Sequence, residues 1–220
     1  MASEVAQDYL KAIYKLHQEK ERVTTTDLAK ALKISPASVT NMIKKLSAMR
    51  LIRYRSYQGV ELLPPGEKIA LEVIRHHRLI ETYLKEALGY SWDTVHEEAE
   101  KLEHHISEDF EDKIFEAMGK PQFDPHGDPI PTKDGKIPEM TCVPLANAKP
   151  GDALVIRRVS DDDPKMLRYL EEIGMVPKTS IKVLDKAPFD GPLTIKIGET
   201  RHVVGRQIVN HIFVSQAEAA

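Results

Sequence analysis

Half of the fourteen prolines in this chain, Pro121, Pro125, Pro129, Pro131, Pro138, Pro144 and Pro150, fall within a single stretch of 30 residues. Proline removes a backbone donor and disfavours helix at the residue before it. That stretch therefore breaks regular structure, and the segments on either side must build their own cores. Their periods differ. Upstream, Tyr9, Ile13 and Leu16, then Leu28, Ala31 and Leu32, then Val39, Ile43 and Leu46, and later Ile69, Val73, Ile80, Leu84 and Leu88 follow a helical repeat. Downstream, Ile181 and Val183, then Leu193, Ile195 and Ile197, then Ile212 and Val214 alternate as in strands, with turn signals such as Phe189-Asp190-Gly191-Pro192 between them. A helical stretch from about Pro164 to Ile173 interrupts the alternation. The expected fold is α+β and multidomain: residues 1–64, a helical region over 65–119, a proline-rich linker over 120–141, and a small, mostly β, barrel-like module over 142–220.

Charge is distributed as unevenly as proline. The formal net charge of −3 argues against nucleic acid only if it is spread evenly. Counted by region, it is +5 over residues 1–64, −8 over 65–119 and zero over 120–220. A basic head is thus joined to an acidic middle. Cys142 is the single cysteine, which excludes an internal disulfide and a thiolate cluster, so a reducing cytosol is the expected compartment. No apolar run reaches the roughly 20 residues that span a bilayer, and the first residues, MASEVAQDYL, lack the order of a secretion signal. A cytoplasmic protein without a membrane partner is expected.

Within the basic head, Thr26 to Leu32 reads as a short helix capped by Thr25 or Thr26, followed by a turn at Lys33-Ile34-Ser35 and a second helix opening at Ser35-Pro36. Two short helices at that spacing have the dimensions of a helix-turn-helix. Val39, Ile43 and Leu46 would face its core. Ser35, Ala37, Ser38, Thr40 and Asn41 are then small or polar enough to approach base edges, and Lys44 and Lys45 can meet phosphates. The segment from Leu51 to Leu62 alternates around Gln58-Gly59 and reads as a hairpin wing carrying Arg53 and Arg55. The plainer alternative leaves each of these cations as a solvated surface charge. The combination of helix, turn, helix and basic hairpin favours a winged DNA reader.

The acidic middle holds 14 carboxylates and five of the nine histidines. So acidic a helical region repels itself unless something cationic offsets it. His77 and Glu81 are four apart, as are His96 and Glu100, and Glu100 and His104; Glu100 and Glu103 are three apart. On a helix such pairs share a face, which suits a divalent cation bound by oxygen and imidazole, Mn(II) or Fe(II) rather than structural zinc. Acidic surface helices without any ion are the ordinary alternative. Two catalytic patterns fail here. His96-Glu97-Glu98-Ala99-Glu100 has Glu where the zinc-protease motif needs its second His. Positions three before His104 and His105 are Lys101 and Leu102, so the Glu-x-x-His of di-iron bundles is missing. A regulating metal fits better than a catalytic one, and no enzyme is expected.

Five stretches in order, Asp8 to Tyr14, Ser35 to Leu46, His77 to Glu81, Val95 to His104 and Pro125 to Pro131, resemble the metal-dependent transcriptional repressors typified by the diphtheria toxin repressor and the manganese transport regulator. The resemblance covers nearly the whole chain. It implies an N-terminal winged helix-turn-helix, an all-α dimerisation domain and a C-terminal SH3-like β-barrel similar to the iron-transport accessory module. By position it implies a primary effector site of Asp8, Glu100, Glu103 and His104. It also implies an ancillary site of His77, Glu81 and His96 completed from the C-terminal domain by Asp162, with Asp161 or Asp163 as alternatives. Asp8 and Glu100 stand where the iron-responsive branch tends to have Met and Cys, which points to Mn(II), with Fe(II) as the alternative and Co(II), Cd(II) or Zn(II) as substitutes in vitro. Lys11 stands where the short manganese regulators carry an acid, which implies separated sites.

The mechanism so implied is a homodimer whose metal, held between reader and dimerisation helices, sets two recognition helices about 34 Å apart on a palindromic operator. Ile106, Phe110, Ile114 and Phe115 would supply the dimer face or, equally, monomer core. The targets would be metal-uptake genes, and no small organic ligand is expected. Two other readings remain: a winged-helix regulator with a structural metal site that answers to an organic ligand or partner, and a cytosolic metallohydrolase with an accessory basic domain.

Overall fold

The computed structural model describes residues 2–55, 58–161 and 163–217. The chain forms two compact units, one of residues 1–77, 102–108 and 131–137, the other of 78–101, 109–130 and 138–220.

The first unit begins with α1 (Glu4–Glu19), α2 (Thr25–Ala31) and α3 (Pro36–Ala48), continues through the hairpin β1 (Ile52–Arg55) and β2 (Gly59–Leu62), and takes in the start of α4 (Pro64–Glu86). The N-cap of α2 is Thr24, one residue before the expected position. Asp27 decides this: Thr24 Oγ1 accepts from the Asp27 N–H, and Asp27 accepts from the Thr24 N–H, closing a capping box. Ser35 caps α3 ahead of Pro36 at the first helical position, as the sequence predicts. The stripe Val39, Ile43 and Leu46 is buried with Leu10, Ile13, Leu28, Ile52 and Val60 in one cluster. Each such side chain contributes roughly 1.5–3 kcal/mol by leaving water. The hairpin pairs in antiparallel register, Ile52 opposite Leu62 and Arg55 opposite Gly59. A β-carbon at Gly66 would lie 2.1 Å from the Leu51 carbonyl oxygen, so the first turn of α4 packs directly on backbone.

The second unit holds the rest of α4, α5 (Val95–Leu102) up to Lys101, α6 (Glu108–Ala117) from Asp109, and a six-stranded antiparallel sheet. Its strands are β3 (Val143–Pro144), β4 (Ala153–Val159), β5 (Ser180–Lys186), β6 (Leu193–Ile197), β7 (Thr200–Val204) and β8 (Ile212–Gln216), in spatial order β3-β8-β4-β5-β6-β7. The alternating residues point into one core: Ile181, Val183, Leu193, Ile195, Ile212 and Val214 are all buried there with Leu167 and Leu170 of α7 (Pro164–Glu172). The short α8 (Arg206–Val209) precedes β8. Ile114 packs with Leu79 and Ile130 in a separate small cluster and serves as monomer core, whereas Phe110 is 45% exposed.

Residues 120–130 form no helix or strand but are pinned. Arg78 donates to the Pro129 carbonyl at 2.5 Å and to Asp128 at 3.1 Å, Trp92 Nε1 donates to the Pro125 carbonyl at 3.0 Å, and the Val159 N–H donates to the His126 carbonyl at 2.9 Å. Gly127, at φ +89°, passes so close to β4 that a β-carbon would lie 1.9 Å from the Arg157 carbonyl oxygen.

Candidate functional site

In the first unit, Asp8 on α1 meets Glu103 and His104 in the turn after α5, and a donor atom from each lies within 4.8 Å of the others. His104 Nε2 is 2.8 Å from Asp8 Oδ1 and 3.4 Å from Glu103 Oε1. Glu103 has no exposed surface, whereas the Asp8 side chain is 41% exposed and opens the group to solvent. Burial raises the pKa of Asp8 above the ordinary carboxylate value, and the His104 imidazole partly offsets it. The ring is oriented from behind, because His104 Nδ1 lies 2.6 Å from Gln7 Oε1. An Nδ1–H given to that acceptor leaves Nε2 as the ligating nitrogen, which is how imidazole ligands are usually set. His76 Nδ1 donates to the Glu103 carbonyl at 3.1 Å.

A second group lies in the second unit. His96 Nδ1 is 3.1 Å from both Glu81 Oε1 and Asp161 Oδ2. Glu81 also gathers Asp124 and His126, with donor atoms again within 4.8 Å of one another. His126 Nε2 donates to the Trp92 carbonyl at 3.1 Å, directing Nδ1 toward Glu81 Oε2 at 3.9 Å. Asp124 is fixed by the N–H groups of His126 and Asp128, at 2.8 and 2.9 Å. Burial opposes protonation of His96, yet its hydrogen bonds with Asp161 and Glu81 lift its pKa to about 10. His126 is pushed up to about 9 by the Glu81 carboxylate, again against burial. Burial, then Glu81, pushes Asp124 well above the usual carboxylate range. Both imidazoles are thus held as cations by carboxylates that a metal ion could satisfy instead, with protons released. The donors are oxygen and imidazole throughout, a set that fits Mn(II) and Fe(II).

His77 and Glu100 each belong to the unit other than the one that holds most of their expected partners. His77 Nδ1 is 2.5 Å from Glu103 Oε2. Glu100 Oε1 lies 3.7 Å from His96 Nε2. Asp162 falls outside the described residues. Sequence reasoning misses Gln7, Asp124 and His126. For His126 a signal exists in Pro125-His126-Gly127-Asp128, but the surrounding prolines make it look like part of a linker.

On the reader, Ser35, Ala37, Ser38, Thr40, Asn41, Lys44 and Lys45 of α3 and its cap, and Arg53 and Arg55 of β1, are all exposed. All three hydroxyls are engaged: Ser35 Oγ accepts from the Ser38 N–H at 3.2 Å and lies 3.0 Å from Ser38 Oγ, and Thr40 Oγ1 donates to the Pro36 carbonyl at 2.9 Å. Arg53 lies 3.4 Å from Glu61 across the hairpin.

A winged reader followed by buried carboxylate–imidazole groups defines the class of metal-dependent transcription regulators. Residues 1–60 match the N-terminal DNA binding domain of the iron dependent repressors, residues 64–132 their metal binding and dimerisation domain, and residues 143–216 the FeoA domain. The iron-dependent repressor IdeR of Mycobacterium leprae is 29% identical over 190 residues, 80% of this chain and 81% of that protein. The HTH-type transcriptional regulator MntR of Geobacillus kaustophilus is 36% identical over 108 residues, 49% of this chain and 76% of that protein. A solved manganese-dependent transcriptional repressor in complex with manganese superposes with a TM-score of 0.89 at 36% identity, over 96% of this chain and 100% of that one. The chain belongs to the iron-dependent repressor family, the family its motifs resemble.

Proposed function

We propose that this protein is a repressor that binds palindromic operator DNA as a homodimer when Mn(II) is held by Asp8, Glu103 and His104. The observation that carries the reading is the convergence of these three side chains, two buried and one half-exposed, within one compact unit. A divalent cation there adds positive charge beyond that of Lys11, which already pairs with Glu103. Fe(II) is the alternative for the same hard donors, and Co(II), Cd(II) or Zn(II) can substitute in vitro. Glu81, His96, Asp124, His126 and Asp161 form the ancillary set.

The rest of the proposal follows from the chain's own residues. Gln7 orients His104, and Asp8 brings α1 to the Glu103–His104 turn. Because α1 packs in one core with α2, α3 and the hairpin, fixing α1 fixes the attitude of the reader. Ser38 and Asn41 then face base edges, while Lys44, Lys45, Arg53 and Arg55 face phosphates. Metal and operator favour the same arrangement, so each tightens the other, typically 5- to 150-fold. The exposed Phe110 on α6 contributes to the dimer face. We assign residues 1–64 to DNA binding, 65–119 to metal binding and dimerisation, 120–141 to a linker whose first part also carries the ancillary donors Asp124 and His126, and 142–220 to the FeoA-like domain. The protein acts by binding and not by catalysis, in the cytoplasm, on metal-uptake genes. Among the described residues no helix is long and apolar enough to cross a membrane.

Selection of duplexes from a random DNA pool tests this. One operator should be enriched with Mn(II) and none in chelator. Asp8→Ala and Glu103→Ala should lose enrichment while keeping the helical circular dichroism of the wild type. Equal enrichment with and without metal would overturn the reading.

A further inference from the structure

The Asp8 group contains a cation of its own. Lys11, one turn beyond Asp8 on α1, is buried, with its Nζ 2.8 and 2.7 Å from Oε1 and Oε2 of Glu103 and 3.4 Å from His77 Nδ1. Lysine is almost never buried without a partner. Here the ammonium straddles both oxygens of a carboxylate that has no contact with solvent. Glu103 is therefore shared between Lys11 and His104, with the Asp8 carboxylate beside it.

We infer that Lys11 is a resident counter-cation that holds Glu103 and α1 together before metal arrives and sets how much metal the sensor needs. A protonated lysine has no lone pair, so it cannot ligate. It can only neutralise the carboxylate and repel an incoming dication. Being part of α1, it competes at a high local concentration that does not vary. Two effects oppose each other if it is removed. Glu103 loses an organiser, which weakens metal binding, and the cluster loses a positive charge, which strengthens it. The second wins: His77 at 2.5 Å and His104 at 3.4 Å still hold Glu103, whereas nothing replaces the lost repulsion in a poorly solvated site.

This inference rests on the Asp8, Glu103 and His104 reading proposed above. The test uses the full chain carrying Glu81→Gln, which removes a donor from the other group, titrated with Mn(II) by calorimetry. Lys11→Met should bind Mn(II) about tenfold more tightly, as the repulsion between ammonium and dication is lost, and Lys11→Arg should stay near the wild type. Without metal, amides of α1 should exchange with deuterium faster in Lys11→Met than in the wild type, and Mn(II) should restore their protection. Should Lys11→Met fail to fold, Lys11→Gln serves the same comparison. Unchanged or weaker binding in these neutral variants, where Asp8→Asn abolishes it, overturns the role of Lys11 alone. Binding that survives Asp8→Asn overturns the site as well.

Discussion

Gln7 Oε1 lies 2.6 Å from Nδ1 of His104, on the ring edge opposite the one that meets Asp8. The contact selects one tautomer and one ring orientation. Gln7→Ala should therefore reduce Mn(II) affinity at this group by about 10- to 100-fold without altering the ligands themselves. Calorimetric titration of the variant measures this, and an unchanged affinity would show that Gln7 does not orient the ring.

Gly127 tests the second group. A β-carbon there would collide with the Arg157 carbonyl oxygen at 1.9 Å, and φ is +89°. Gly127→Ala should push the loop carrying Asp124 and His126 off β4, at a cost of about 1–3 kcal/mol. In urea unfolding the midpoint should fall. Mn(II) titration should show the loss confined to this group, with binding at Asp8, Glu103 and His104 retained.

For the reader, phosphate and base contacts separate by their salt dependence. Lys44→Ala should weaken binding to every sequence alike and lower the slope of log K against log salt by about 1. Asn41→Ala should instead cost about 1–3 kcal/mol at a single base position and relax selectivity there. Anisotropy titrations over a salt series distinguish the two outcomes.

Asp27 gives the reader a pH dependence. Its hydrogen bond with Lys20, 2.6 Å, and then those from Thr24, hold the carboxyl well below the usual carboxylate range. Because the folded-state value is depressed, the stabilisation is complete above the ordinary pKa near 3.9 and is lost as pH falls through the folded value. Thermal unfolding of the wild type should therefore steepen its fall below about pH 4, and Asp27→Asn should flatten that dependence. Thr24→Ala should cost about 1 kcal/mol at neutral pH.

Much of the reader is legible in the sequence because its signals are local. Ser35-Pro36 states where α3 starts, and Val39, Ile43 and Leu46 state which face is buried, all within one helix. Helical spacing singles out Glu103 and His104, but Asp8 can be joined to them only through a resemblance, since residues about 95 apart carry no shared period. Asp124 and His126 stay hidden for a different reason: their positions depend on Trp92, Arg78 and Val159, none of them close in sequence. Thr24 escapes notice as a cap because the box closes through Asp27, which by pattern belongs to the helix and gives no sign of being the cap's partner.

The hydrogen bond from the Val159 N–H to the His126 carbonyl has a consequence for how such a chain can be cut. A version ending before Cys142 looks like a natural truncation, since it keeps the DNA reader and helices α1 to α6 entire. Yet it would leave Glu81 and His96 without Asp161, and it would unfasten the loop that presents His126 from the strand that steadies it. The C-terminal residues thus hold in place a cluster whose other members, Glu81, His96 and His126, all precede them, and removing them would leave that cluster without one carboxylate and without its anchor on β4.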